Sequence, residues 1–347
     1  MRETWIDQAR GLCMLMVLWF HAEMYSGMGQ TYSILITPFF MQAFFFLSGY
    51  LFVRNRQRFS FIDKMKRCVV GIWIPYIIFT TIMLVPKIYL HHWSISHGLM
   101  TILTGQASWF VYVLGLMQIL VGGVIALTQR LGKAWYPPLC LMIIAGGALG
   151  TLDYVYSIPI WASSLTAMSR MLPFYVWGIL FRERIIARTD GDSFKNVNFI
   201  LTVFVYLLLL SVDQFLLPYD RNGIIYGCKS YVSYMLLGVV GIYMLIVTSK
   251  SFLPRWKWVD FIGKNTIIFY FLNGFVYTIT RKLLAKTYTP PNILLIPIML
   301  LTTILTLSLF AFIIRRYCPL MIGDKNAWNR LGEHFTKLVN KKNSYVL

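Results

Sequence analysis

This chain carries apolar stretches too long and too unbroken for the core strands or helices of a soluble fold. Residues 199–212 and 292–314 contain no Asp, Glu, Lys or Arg at all. A helix rises about 1.5 Å per residue, so roughly 20 mainly apolar residues cross a hydrocarbon layer about 30 Å thick. A membrane β-barrel would instead show segments of about ten residues alternating in polarity, and these runs do not alternate. Only 13% of the 347 residues are charged, about half the usual share for a soluble domain. The expectation is an all-α polytopic membrane protein.

Ten segments have the length of a span, at about 8–27, 33–53, 69–90, 107–128, 136–152, 158–181, 197–217, 228–248, 262–280 and 292–314. The fifth is the weakest, because Pro137, Pro138 and two adjacent glycines interrupt it. No segment has a small-residue cleavage pattern, so a removable signal peptide is not expected. No repeat of 20–50 residues is visible. Lys and Arg stay preferentially in cytoplasmic loops. With the N-terminus inside, alternate loops hold 25 basic residues on the cytoplasmic side and 6 outside, with Arg170 within a span. Ten spans with both ends cytoplasmic follow as the expectation.

That distribution also accounts for the net charge of +19. In a soluble chain such a balance would suggest nucleic acid. Here the basic residues flank spans, where anionic lipid attracts them, so membrane lipids are the expected partners and nucleic acid is not. The basic tail 315–347, with Trp328 and Phe335 among its lysines, reads equally as a membrane-surface segment or as a solvated tail. The five cysteines are scattered, odd in number and without a CxxC pair, so neither a disulfide framework nor a metal site is expected. Cys13 reads as a small buried residue before it reads as a nucleophile.

The first span is the informative one. It runs from Trp5-Ile-Asp7-Gln-Ala-Arg10-Gly11 to His21-Ala-Glu23. Ionisable groups inside a membrane are costly and by default mark function. Arg10 and His21 are eleven residues apart, three helical turns, so they share a face about 16 Å apart along the axis. His21 is the only histidine within a span; His91, His92 and His97 lie in an outer loop and His334 in the tail. An imidazole suits a general base at neutral pH. Two bland readings stand beside these: an interfacial, hydrogen-bonded His21, and Arg10 as a plain charge anchor. Glu23, two residues on, points to another face and is a poor candidate to orient His21.

Further fragments follow in order: Phe44-Phe45-Phe46-Leu47-Ser48-Gly49-Tyr50 at the end of span two, Arg67 before Trp73-Ile74-Pro75-Tyr76, and Trp109-Phe110 opening span four. Arg170-Met-Leu-Pro173-Phe174-Tyr175-Val-Trp-Gly178 lies in span six, and Gly263-Lys-Asn265-Thr266 leads to Tyr270-Phe-Leu-Asn273 in span nine. Together with Arg10 and His21 this series resembles acyltransferase family 3, in its fucose 4-O-acetylase-like branch. The resemblance covers nearly the whole chain. It implies a multi-pass enzyme of the bacterial inner membrane, a transmembrane acyltransferase domain over 1–314 and a basic cytoplasmic tail over 315–347. It further implies acetyl-CoA or another acyl-CoA as co-substrate, no bound cofactor or metal, and a sugar, glycan or lipid-linked saccharide as acceptor.

On that basis His21 is the candidate base or acyl carrier, with Arg10 beside it as a catalytic candidate. Arg10, Arg67 and Lys64 are candidates for the donor phosphates, since a guanidinium fork matches phosphate. Glu23, Ser48, Trp109, Arg170, Tyr270 and Asn273 are candidates for the cavity and acceptor. Ser48 reads first as a small residue for close helix packing and second as an oxyanion donor. Arg170, about midway along its span, either lines a cavity or pairs with Asp153 or Asp213. Asn273 stands where relatives often have histidine; it either contacts the acceptor or joins helices as polar glue. The alternative class is a transporter or flippase of a glycan or anion using the same Arg and His. Its usual sign, paired broken spans in two related halves, is not evident.

Overall fold

Each apolar segment forms helix, because in lipid every backbone N–H and C=O must find its partner within the chain. The computed structural model describes residues 3–29, 31–53, 59–156, 158, 163–182, 199–216, 224–252, 256–287, 292–324, 326–331 and 333. In order they form α1 (Thr4–Ser26), α2 (Phe40–Tyr50), α3 (Phe61–Cys68), α4 (Ile74–His91), α5 (Ile95–Leu103), α6 (Trp109–Arg130), α7 (Tyr136–Val155), α8 (Ser164–Phe181), α9 (Phe199–Leu216), α10 (Ile224–Val247), α11 (Lys257–Lys264), α12 (Thr266–Thr287) and α13 (Asn292–Tyr317). No strand occurs among the described residues. Six stretches, Ser33–Tyr50, Phe61–Tyr89, Trp109–Arg130, Tyr136–Val155, Cys228–Lys250 and Leu294–Tyr317, are long and apolar enough to cross a membrane. The protein is an all-α polytopic membrane protein.

The departures from a simple row of spans have local causes. Span two is a 3₁₀ turn at Ser33–Leu35 followed by an eleven-residue α2; Pro38 disfavours helix at the residue before it and delays the start. Span three begins eight residues early as α3 and joins α4 through a π-helical turn, Val69–Trp73, just ahead of Pro75. In the fifth segment the prolines open the helix: Pro137 and Pro138 occupy the first turn of α7, where no backbone N–H is needed. The loop after α4 contains α5, started by Ser94, whose hydroxyl accepts from the His97 N–H at 3.2 Å. Span nine is broken at Asn265 into α11 and α12. Past α13 a short turn ends at Gly323, and Trp328 donates back to the Leu320 carbonyl at 3.3 Å. Phe335, His334 and the rest of the tail lie outside the described residues.

Helices approach closely where glycine removes the side chain. A Cβ at Gly49 would collide with the Tyr175 backbone, and one at Gly178 with the Phe46 carbonyl, which lets α2 lie along α8. Likewise Gly11 abuts the Val259 carbonyl and Gly263 the Asp7 carbonyl, seating α11 on α1. Small residues at such crossings bring two backbones together, the usual basis of helix association in lipid. α1 also packs on α12 and α13. One face of the first span is thereby covered by other helices, and its Asp7, Gln8, Glu23 and Ser26 are buried.

Candidate active site

α1 is unbroken from Thr4 to Ser26, so the three-turn spacing of Arg10 and His21 survives in the fold. Each residue lines a different cavity. Arg10 borders a cavity of about 230 Å³ together with Ser48, Lys64, Gly71, Phe44, Phe110, Gln118 and Thr266. His21 borders one of about 350 Å³ together with Tyr25, Thr80, Lys87, Ser108, Asn273 and Thr278. Tyr270 lines both.

The Arg10 cavity is built by the irregular joints of the fold. The π-helical turn carries Gly71 and Ile72 to its wall and α3 brings Lys64. The break at Asn265 turns the first residues of α12 towards Arg10, and Arg10 Nη2 donates to Thr266 Oγ1 at 3.2 Å. Asn265 holds the break open: its amide donates to the Phe261 carbonyl at 2.7 Å, and its oxygen accepts from Arg315 Nε. Arg315 also donates to the Lys264 carbonyl at 2.8 Å, clamping α13 to the joint. Two cations and a helix N-terminus thus border one cavity, an arrangement suited to an anion.

The His21 cavity has a different character. His21 is half-buried and sits edge-to-face with Phe20, at 5.3 Å between ring centres. Neither imidazole nitrogen has a hydrogen-bond partner among the described residues, and the ring borders the cavity. Asn273 is buried and donates to the Phe269 and Tyr270 carbonyls at 3.1 and 2.6 Å. Its side-chain oxygen has no donor among the described residues. Tyr25 stacks on Tyr277, whose hydroxyl donates to the Leu18 carbonyl at 2.7 Å and braces the α1 turn beneath His21.

Of the residues singled out in the sequence, Arg10, Lys64, Ser48, His21, Asn273 and Tyr270 come together around these two spaces. Four do not. Arg67 is exposed and donates to the Asp63 carbonyl at 3.0 Å on its own helix. Glu23 is fully buried and clamps the turn after α1: its carboxyl accepts from the Ser33 N–H at 2.7 Å and from the Tyr32 N–H. Trp109 packs on Phe45, while its neighbours Ser108 and Phe110 reach the cavities. Arg170 belongs to a separate polar cluster between α7 and α8. Its guanidinium stands 4.0 Å from the Asp153 carboxyl, lies over the Tyr154 ring at 4.4 Å and donates to the Ile158 carbonyl at 2.7 Å. Ser169 donates to the same carboxyl at 2.5 Å.

Tyr25, Ser108 and Gln118 were not foreseen as lining residues. Ser108 stands immediately before an apolar run, the position of a helix cap, yet its hydroxyl donates to Tyr270 Oη at 3.3 Å. Nothing in its spacing distinguishes the two roles. Tyr25, one turn beyond His21, had a signal in its helical register.

A helical bundle of membrane-spanning length, with a cationic cavity and a histidine cavity that share Tyr270 in their walls, is a multi-pass membrane protein with internal space for ligands. The family model described as the acyltransferase domain matches residues 3–314, and the chain belongs to acyltransferase family 3. It is a membrane acyltransferase. No curated protein and no solved structure matches the chain.

Proposed function

We propose that this membrane protein transfers an acetyl group from acetyl-CoA to a hydroxyl of a sugar or glycan. The observation that carries the reading is the pair of adjoining cavities, one with Arg10, Lys64 and the start of α12, the other with His21 and Asn273. The anionic donor enters the first. The positively lined space takes a phosphate of CoA and the apolar wall of Phe44, Leu114 and Ile267 takes the pantetheine arm. The acceptor occupies the second, with a hydroxyl on His21. His21 takes the hydroxyl proton as the oxygen attacks the thioester carbonyl; the C–S bond breaks, the new C–O ester bond forms, and the proton passes to the departing thiolate. The basic residues of α3 and of the joint at Asn265 support a donor side that faces the cytoplasm. The setting is the inner membrane of a bacterium.

Purified full-length protein in lipid nanodiscs, given acetyl-CoA labelled in the acetyl group and a panel of cell-surface glycans, should transfer label and release CoA thiol in equal amounts. Label bound by the protein with no transfer, but vectorial passage of glycan across liposomes, would replace this reading with a transporter.

A further inference from the structure

The histidine cavity carries a charge that proton transfer at His21 does not use. Lys87, near the end of α4, lines it together with His21, Thr80, Asn273 and Thr278. The lysine is half-buried and stands close to the end of the apolar stretch Phe61–Tyr89. Its Nζ lies over the Trp93 ring at 5.0 Å, and His97 braces Trp93 edge-on at 4.7 Å. Among the described residues no carboxylate stands within ion-pair distance of Lys87, and none lines the cavity. A cation at the margin of a membrane is costly unless something offsets it, and an aromatic face offsets only part of that cost. The other polar groups of the lining have spent their hydrogens. Thr80 donates to the Tyr76 carbonyl at 2.6 Å, Thr278 to the Gly274 carbonyl at 2.8 Å and Ser108 to Tyr270 Oη at 3.3 Å. The Asn273 amide donates to two carbonyls. What these groups retain are oxygen lone pairs, which suit the hydroxyl hydrogens of a sugar. The ammonium, with three hydrogens and no acceptor, suits an anion.

We infer that the acceptor is an acidic saccharide, whose carboxylate or phosphate is held by Lys87 while one of its hydroxyls meets His21. The inference rests on the acceptor cavity assigned above and names the chemical class that fills it. At about 350 Å³ the cavity has room for a sugar unit. Trp93 fixes the ammonium without neutralising it, because a ring attracts a cation through its quadrupole and carries no net charge. A lysine that serves only as a boundary anchor extends its ammonium to the lipid headgroups. This one lies against Trp93 and borders the space it shares with His21. A neutral glycan would leave that charge without a counter-ion, and an acidic one supplies it. A uronate and a glycosyl phosphate carry the same charge, and a lysine receives either, since it acts as a compact point charge and not as a planar fork.

The test gives full-length protein in nanodiscs acetyl-CoA labelled in the acetyl group, with an extract of bacterial envelope glycans holding neutral and acidic members together. Anion exchange after the reaction separates neutral, carboxylate-bearing and phosphate-bearing pools, and label per sugar is read in each. Wild type should label an acidic pool about tenfold or more above the neutral one, the worth of one charge-assisted bond. Lys87→Met keeps the unbranched side chain and removes the charge, so the acidic-to-neutral ratio should fall about tenfold; Lys87→Arg should hold it near wild type. A ratio within one preparation does not depend on the fraction folded. Reducing the carboxyls of the extract to alcohols beforehand removes the preference if the anion is a carboxylate. Mild acid, which cleaves glycosyl phosphates, removes it if the anion is a phosphate. Equal labelling of neutral and acidic pools by wild type, a wild-type ratio in Lys87→Met, or a preference that survives both treatments overturns the acidic acceptor and leaves acyl transfer to sugars standing. No label in any pool with well-folded protein overturns the acyl-transfer reading and this inference with it.

Discussion

Replacing Glu23 by alanine tests whether an intramembrane acid next to the candidate base serves chemistry or folding. The side chain is fully buried and both of its oxygens accept backbone N–H groups, from Tyr32 and from Ser33. Alanine leaves those two donors without a partner. A buried donor stripped of its acceptor costs about 1–3 kcal/mol, so the pair costs about 2–6 kcal/mol. That would consume much of the stability of an ordinary domain. Glutamine keeps one acceptor oxygen but turns an NH₂ group towards the other N–H, so it should cost about half as much. The turn that Glu23 holds leads into α2, whose Ser48 and Phe44 line the Arg10 cavity; activity should therefore fall with the folded fraction and no further. The assay is thermal melting of the full chain in detergent, followed by acyl transfer measured per folded molecule at a temperature below both midpoints. Glu23→Gln with a wild-type melting temperature and no transfer would refute the reasoning, since a group that only satisfies backbone donors cannot abolish catalysis without loosening the fold.

Three further outcomes are expected. His21→Gln should lose as much activity as His21→Ala, about 10²–10⁴-fold, with melting unchanged in both; a glutamine enzyme at near wild-type rate would reduce His21 to an orienting role. Arg10→Ala and Lys64→Ala should each weaken acetyl-CoA binding by calorimetry about tenfold or more, as loss of a charge-assisted bond predicts. Arg67→Ala should leave it nearly unchanged, and an equal effect from Arg67 would move the phosphate site to the exposed side of α3. Gly49→Ala should destabilise by about 3 kcal/mol or prevent folding, because its Cβ meets the Tyr175 backbone rather than a yielding side chain; normal melting of that variant would show that α2 and α8 are not so closely crossed.

The helical class, the apolar segments and the shared face of Arg10 and His21 were determined by the sequence alone. Membrane length and helical period are local quantities, readable from the run of residues. The resemblance motifs were visible as strings, but their roles were not. Gly49 and Gly178, at the ends of two such motifs, mark where α2 and α8 cross; Tyr76 in a third donates to the Ile102 carbonyl at 2.5 Å and ties α4 to α5. These contacts join residues far apart in the chain, so no local pattern announces them. The same holds for the site. Only the tertiary structure set Lys64 rather than Arg67 on the Arg10 cavity, since the two sit three residues apart on α3 and which one lines it depends on how that helix is rotated. Only packing made Glu23 a clamp, gave Arg170 to Asp153, and placed Tyr270 where two cavities meet. A sequence states which charges are costly in a membrane. The fold decides what each one is costly for, because the partner that offsets the burial comes from another helix.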